Sequence, residues 1–152
     1  MNNMRKLGID YGDSRVGIAL TDPLGITAQG LETIHHNGND KIVLKRLEEI
    51  INEKEVDTIA IGMPYKLNGD EADRVEITKK FIQKLKCKFN KVKIETVDER
   101  LTTVAAHKTM NFLDVKNKNK RNIVDTLSAV YILEMYMNKN KSVINVVEIQ
   151  FL

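Results

Sequence analysis

Short apolar segments separated by turn-forming residues open the chain and predict three strands. The apolar stretches cover residues 7–10, 16–20 and 26–34, and residues 11–14 and 21–25 between them contain turn-forming Gly, Asp, Ser and Pro. Turns this short join strands that run in opposite directions. The pattern therefore predicts an antiparallel meander at the start of the chain.

Helical and strand patterns then alternate. Apolar residues recur at helical spacing from Ile42 to Ile51, and Asp40 is a candidate cap for that helix. A largely apolar strand follows at Val56–Met63, and another strand is predicted at Val92–Val97. Further helices are predicted at about 71–88, from Thr102 or Thr103 to about 112, and at 123–137. The order β-β-β-α-β-α-β-α-α predicts an α/β fold with a mixed sheet and helices on both faces.

Length and composition indicate one domain. The 152 residues include 42% hydrophobic and 30% charged residues, which is an ordinary globular balance. We expect the domain to span 1–140 and the apolar tail 141–152 to be an extra strand or a contact with another subunit. Both a monomer and a homodimer are compatible with these features. The net charge of +3 permits a polyanionic partner without arguing for one.

Several classes of protein are excluded by what the sequence lacks. The single cysteine, Cys87, rules out an internal disulfide and a cysteine-rich zinc site, and it fits a reducing compartment. No apolar run approaches the roughly 20 residues of a membrane span, and no signal-peptide segment follows Met1. We therefore expect a cytoplasmic protein with no membrane partner.

Acidic residues at the ends of predicted elements are the main candidates for chemistry. Asp10 ends the first strand, Asp98 and Glu99 end the last strand, and Asp125 lies in the first turn of the final helix. In such a sheet the ends of central strands and the start of a covering helix can meet. Carboxylates brought together need a cation between them, and oxygen ligands suit Mg²⁺ or Mn²⁺. Two such ions about 4 Å apart can promote an in-line phosphoryl displacement.

Each acid also has a purely structural explanation. Asp10 can begin a turn at the end of its strand. Asp98 and Glu99 can form a surface ion pair with Arg100. An acid at the position of Asp125 favours the dipole of the final helix. The sequence leaves these alternatives open.

Cationic residues near these acids are candidates for phosphate contact. The loop 116–121 holds four cations, including Lys118 and Arg121, and lies just before Asp125. Lys66 and Arg100 lie near predicted strand ends and are further candidates. For the loop, a solvated segment with no ligand is the structural alternative.

Four sequence motifs, taken together, resemble one known family. They are Ile9–Gly12 with Arg15–Ala19, Gly62–Pro64 with Asn68-Gly69, Asp98–Thr103, and Asp125 with Ser128-Ala129. In this order they resemble the YqgF/RuvX family, whose members are described as Holliday junction resolvases and as pre-16S rRNA nucleases. The resemblance covers roughly residues 5–138, and the tail after 140 does not match the family pattern.

The resemblance implies a ribonuclease H-like fold, with a five-stranded mixed sheet whose first three strands are antiparallel. It also implies a metal-dependent endonuclease that acts on structured nucleic acid and matures the 5′ end of pre-16S rRNA. The implied metal ligands and catalytic acids are Asp10, Asp125 and either Glu99 or Asp98. We favour Glu99 and keep both, because side-chain alternation is lost where a strand ends. The implied phosphate contacts are Arg15, Arg100, Lys118 and Arg121.

Three other functions compete with an rRNA nuclease. One is a resolvase that cuts branched DNA, since no base-reading motif separates RNA from DNA here. A second is a non-catalytic ribosome-assembly or nucleic-acid-binding factor with the same fold. A third, a phosphotransferase of the actin and hexokinase superfamily, needs two such domains, and 152 residues supply one.

Overall fold

A computed structural model describes residues 4–65, 72–101 and 125–139. The strands are β1 (Arg5–Tyr11), β2 (Arg15–Thr21), β3 (Ala28–His35), β4 (Val56–Met63) and β5 (Lys93–Asp98). The helices are α1 (Asp40–Lys54), α2 (Ala72–Lys88) and α3, which is helical at 125–139. One turn of 3-10 helix, Glu99–Leu101, follows β5.

The strands form one five-stranded mixed sheet in the order β3-β2-β1-β4-β5. β1 pairs antiparallel with β2, and β2 with β3, so the predicted meander is confirmed. β4 pairs parallel with both β1 and β5. The carboxyl ends of β1, β4 and β5 therefore meet at one edge of the sheet, which we call the carboxyl edge.

Side chains of the sheet alternate between two hydrophobic layers. On one face, Leu7 and Ile9 of β1 pack with residues of α1 and α2, among them Phe81. On the other face, Ala60 of β4 packs with Ala129 of α3. Successive strand residues face opposite sides, so one strand can contribute side chains to both layers. We call the second side the α3 face.

Glycines on the α3 face let the helix lie close to the sheet. A Cβ atom at Gly8 would lie 2.7 Å from the carbonyl oxygen of Ala129 and 2.8 Å from the Cβ of Leu133. A Cβ atom at Gly30 would lie 3.0 Å from the Cβ of Thr126. A larger residue at Gly8 would meet helix backbone and push the helix outward, since interiors are already close-packed, whereas at Gly30 the Thr126 side chain can give by a few tenths of an ångström. Gly8 therefore helps to set the height of α3 above the sheet.

β3 begins later than the hydrophobic pattern predicts. The carboxylate of Asp22 accepts hydrogen bonds from the backbone N–H groups of Ile26, at 2.7 Å, and Thr27, at 3.1 Å. An aspartate that binds the backbone in this way stabilises a turn. Ile26 is therefore an exposed turn residue, and the strand begins at Ala28.

The cap of α1 is Asn39 rather than the predicted Asp40. The Asn39 side chain accepts a hydrogen bond from the backbone N–H of Lys41 at 3.1 Å, as an N-cap residue does. Asp40 is the first helical residue, and it accepts a 2.6 Å hydrogen bond from the hydroxyl of Tyr11. Burial, and then this hydrogen bond, raise the pKa of Tyr11 well above its ordinary value, so the phenol stays protonated.

Other predicted segments lie outside the described residues. They are the helix at 102–112, the loop 116–121 and the tail 141–152. Among the helices in the described ranges, none has a stretch long and apolar enough to cross a membrane.

Candidate active site

Asp10 lies at the carboxyl edge, and its side chain is on the α3 face of the sheet. Its neighbour Tyr11 points to the opposite face, where it binds Asp40 of α1. Gly8, two residues before Asp10, lies directly under α3. Because strand residues alternate, Asp10 faces the same way as Gly8. Asp10 is only 6% exposed, and acids are rarely buried this far without a specific partner.

Asp125, the first residue of α3 that the structure describes, lies over Gly17 of β2, which is next to Asp10. Asp10 is in register with Gly17. A Cβ atom at Gly17 would overlap the backbone carbonyl of Asp125, so only glycine leaves room for this approach. The contact brings Asp125 to the carboxyl edge beside Asp10.

Glu99 also lies on the α3 face, over β4, whereas Asp125 lies over β2 on the opposite side of Asp10. A Cβ atom at Gly62 would lie 2.5 Å from Oε1 of Glu99, so the carboxylate lies directly over Gly62. Gly62 follows Ile61, the register partner of Ile9, and so occupies the position beside Asp10, about 4.8 Å away across the strands. Glu99 is 8% exposed. Two buried acids therefore occupy neighbouring positions at the carboxyl edge.

Asp98 has different contacts from Glu99. It is in register with Met63, whose side chain packs in the core on the face away from α3. Its carboxylate accepts hydrogen bonds from Nη2 of Arg100, at 2.8 Å, and from the Arg100 backbone N–H, at 3.0 Å. The bonds from the guanidinium lower the pKa of Asp98. The surface ion pair therefore involves Asp98 and Arg100, while Glu99 lies near Asp10.

Arg15 contacts the third acid. Its Nε lies 3.0 Å from Oδ2 of Asp125, and both side chains are partly exposed. Arg15 is the first residue of β2, and its carbonyl accepts a 2.9 Å hydrogen bond from the N–H of Gly12 across the β1–β2 turn. This bond holds the hairpin that presents the guanidinium. Arg15 thus compensates the charge of Asp125.

The structure places Asp10 and Glu99 side by side and puts Asp125 at the same edge, in contact with Arg15. Within the described ranges, no group of three or more His, Cys, Asp or Glu side chains has the spacing of a metal site. The donor atoms beside Asp10 are carboxylate oxygens, the chemistry that Mg²⁺ and Mn²⁺ prefer. The three-acid ligand set stays a prediction, and two of its members occupy neighbouring positions.

Comparison with known proteins identifies the family. The sequence profile of RuvX, described as a Holliday junction resolvase, matches residues 4–139. The chain belongs to the RuvX family. A relative from Ruminiclostridium cellulolyticum, named "Putative pre-16S rRNA nuclease", is 52% identical over 138 residues, which cover 90% of this chain and 95% of that protein. A relative of the same name from Acetivibrio thermocellus is 45% identical over 141 residues, covering 93% of this chain and 100% of that protein.

Solved structures of RuvC have the same fold. The T. thermophilus RuvC in complex with a Holliday junction substrate has a TM-score of 0.55 at 15% identity, and the match covers 90% of this chain and 95% of that chain. A second Thermus thermophilus RuvC structure has a TM-score of 0.52 at 12% identity. RuvC is ribonuclease H-like, so the predicted fold class is confirmed. At this identity the likeness concerns the fold alone.

Membership in the RuvX family places the chain among nucleases, which are phosphodiester hydrolases. Of the predicted phosphate contacts, Arg15 contacts Asp125, and Arg100 contacts Asp98. The remaining candidates, Lys66, Lys118 and Arg121, lie outside the described residues.

Three residues contribute to the site of this RuvX-family chain in ways that sequence analysis did not assign. Gly17 makes room for the backbone of Asp125, and Gly62 makes room for the carboxylate of Glu99. Tyr65, just after β4, lies under the guanidinium of Arg100, 5.0 Å from its ring centroid. A glycine inside an apolar strand is a usable signal, since it often marks a close approach. Tyr65 carries no comparable signal in the sequence.

Proposed function

We propose that this member of the RuvX family is a metal-dependent endonuclease that processes the 5′ end of pre-16S rRNA. The observation that carries the proposal is the position of the Glu99 carboxylate over Gly62, beside buried Asp10. Two acids at neighbouring positions on one face can share a cation, whereas acids on opposite faces cannot. Divalent ions bound by carboxylates are the common means of catalysing phosphoryl transfer in proteins.

The residues present fit Mg²⁺ or Mn²⁺ by their chemistry. Asp10 and Glu99 would hold the ion, and Asp125 would join them by exchanging its contact with Arg15. Three carboxylates provide enough oxygen ligands for the two-ion form of the site. When bound, such ions neutralise the charge that develops at the reacting phosphate and lower the pKa of bound water.

The chain's own cations would position the nucleic acid. Once Asp125 gives up its contact with Arg15 to bind the ion, Arg15 presents a free guanidinium at the carboxyl edge. Arg100 adds a second guanidinium beside Glu99. Guanidinium groups bind phosphate oxygens in a bidentate manner, which fixes the orientation of the backbone. Lys118 and Arg121 are proposed as further phosphate contacts.

The similar proteins favour an rRNA precursor as the substrate. Relatives at 52% and 45% identity carry the pre-16S rRNA nuclease name. RuvC, solved with a Holliday junction, resembles the chain in fold at 15% identity. We therefore propose structured rRNA as the substrate and use branched DNA as the competing substrate in the test.

A cleavage assay with two substrates tests the proposal. The purified protein is incubated with a pre-16S rRNA fragment or a four-way DNA junction, in Mg²⁺, in Mn²⁺ or in EDTA. We expect a cut near the 5′ end of the rRNA, at a rate at least about 100-fold higher with metal than in EDTA. Equal rates in EDTA would contradict metal dependence, and cleavage of the junction alone would contradict the rRNA assignment. A folded protein that cuts neither substrate would support the non-catalytic alternative.

Gly62→Ala is expected to lower the cleavage rate while the fold is retained. The added methyl group would lie 2.5 Å from Oε1 of Glu99 and 2.6 Å from Cδ1 of Ile132, both of which are ends of side chains that can move. The carboxylate is displaced from Asp10, and a misplacement of about 1 Å can cost about 100-fold in rate. Single-turnover cleavage and a thermal melt are the measurements. Gly30→Ala, on the same face but beside Thr126, is the control and should keep its activity. Equal rates for the two variants would contradict the role of Gly62.

A further inference from the structure

Among the described residues, a groove of about 540 Å³ lies between β5 and the end of α3. Its lining residues include Tyr65, Lys93, Val97, Met135, Tyr136 and Lys139. Lys93 and Val97 share one face of β5, and Met135, Tyr136 and Lys139 lie in the last turns of α3. We call this feature the edge groove, since β5 is the last strand of the sheet.

The edge groove begins at the candidate active site. Asp98 and Tyr65 line it, and these residues lie at the carboxyl edge, next to Glu99 and just beyond the end of β4. Lys93 lines the groove at the opposite end of β5, about 17 Å away at the usual rise of a strand. A nucleic-acid strand that leaves the carboxyl edge along β5 therefore enters this groove directly.

The lining of the edge groove combines aromatic rings with cations. Tyr65 is 38% exposed, and the guanidinium of Arg100 lies over its ring. Tyr136 is half-buried and contributes a second ring. These are two of the four tyrosines in a chain that has no tryptophan. Aromatic rings beside cations are the means by which proteins bind unpaired bases, with stacking on the ring and attraction to the phosphate.

The charges of the edge groove are compatible with a polyanion. The two acids that line it each have a cation partner. Nζ of Lys93 lies 3.2 Å from Oε1 of Glu95, and Nη2 of Arg100 lies 2.8 Å from Oδ2 of Asp98. Lys139 adds a further cation at the end of α3. With the adjacent Arg100 counted, three cations stand against two paired acids, so the groove carries no net negative charge that would repel a phosphate backbone.

We propose that the edge groove binds unpaired nucleobases of a single-stranded segment next to the cleavage site. This inference rests on the proposed nuclease function and adds a substrate feature to it. The groove would stack at least one base on Tyr65 or Tyr136, with its phosphates near Lys93 and Lys139. The preferred substrate then contains a single-stranded stretch beside the scissile bond, rather than a fully paired duplex.

Binding of a short oligonucleotide without metal tests the groove separately from catalysis. Fluorescence anisotropy in EDTA compares a labelled single-stranded RNA hexamer with an abasic hexamer of the same length. For the hexamer with bases, Tyr65→Ala is expected to weaken binding about 5- to 100-fold, the range that base–aromatic stacking provides. Tyr65→Phe, which retains the ring, should bind within about twofold of the unaltered protein, since the ring face carries the stacking. The abasic hexamer should bind weakly and be insensitive to Tyr65→Ala.

Two results would overturn the inference. One is unchanged binding of the hexamer by Tyr65→Ala, and the other is an equal loss with the abasic hexamer, which would mean that no base is stacked. Cross-linking of 5-bromouridine RNA to the unaltered protein is a second measurement that needs no variant. Adducts at Tyr65 or Tyr136 support the groove, and adducts found only elsewhere contradict it. Both measurements are made without metal, so they test the edge groove even if the cleavage assay fails.

Discussion

Glu99→Gln is expected to reduce the cleavage rate at least about 100-fold, whereas Asp98→Asn leaves it within about threefold. The glutamine keeps the shape of the side chain over Gly62 but removes the charge that would hold a divalent ion beside Asp10. The asparagine weakens a partly exposed ion pair with Arg100, which is worth little in water. Substitutions at these two adjacent acids should therefore have very different effects on the cleavage rate.

Single-turnover cleavage of the rRNA fragment in Mg²⁺ measures this difference. Thermal melts of both variants establish that each is folded. Asp10→Asn should reproduce the loss seen with Glu99→Gln and also controls for contaminating nuclease. The double variant should lose no more than either single one, since groups that act as a unit are not additive. An inactive Asp98→Asn beside an active Glu99→Gln would reverse the assignment.

Gly17→Ala is expected to lower the free energy of unfolding by about 1–3 kcal/mol, the usual cost of overpacking. The methyl group would overlap the backbone carbonyl of Asp125, which cannot move unless α3 itself shifts. For a chain of this length, each kcal/mol lowers the melting temperature by about 2–4 °C. Since the shift also lifts Asp125 from the carboxyl edge, the cleavage rate should fall as well.

Urea denaturation followed by circular dichroism measures the loss of stability. Gly30→Ala is the matched control, because its methyl group would meet the Thr126 side chain at 3.0 Å rather than a helix backbone. We expect the control to lose less stability than Gly17→Ala and to remain active. If both variants unfold at the same urea concentration, the close approach of α3 at Gly17 does not determine the loss of stability, and the prediction is wrong.

Much of the fold could be predicted because strands and helices follow from local spacing. The predicted bounds of β4, Val56–Met63, agree with the structure, since an apolar run closed by Pro64 leaves few alternatives. β3 was less predictable, because the hydrogen bonds to Asp22 hold the apolar Ile26 in a turn. Hydrophobicity alone does not distinguish such a residue from the first residue of a strand.

The sequence by itself determined the order of the described strands and helices, the family and the acids at the strand ends, because spacing and motifs are local. Only the tertiary structure decided that Glu99 and not Asp98 lies beside Asp10. That choice depends on Gly62, which lies on a neighbouring strand and leaves space for the carboxylate. The tertiary structure likewise decided the contact of Arg15 with Asp125 and the edge groove that Tyr65 lines. Such contacts join residues far apart in the chain, and their positions follow from the register of the strands and the height of α3.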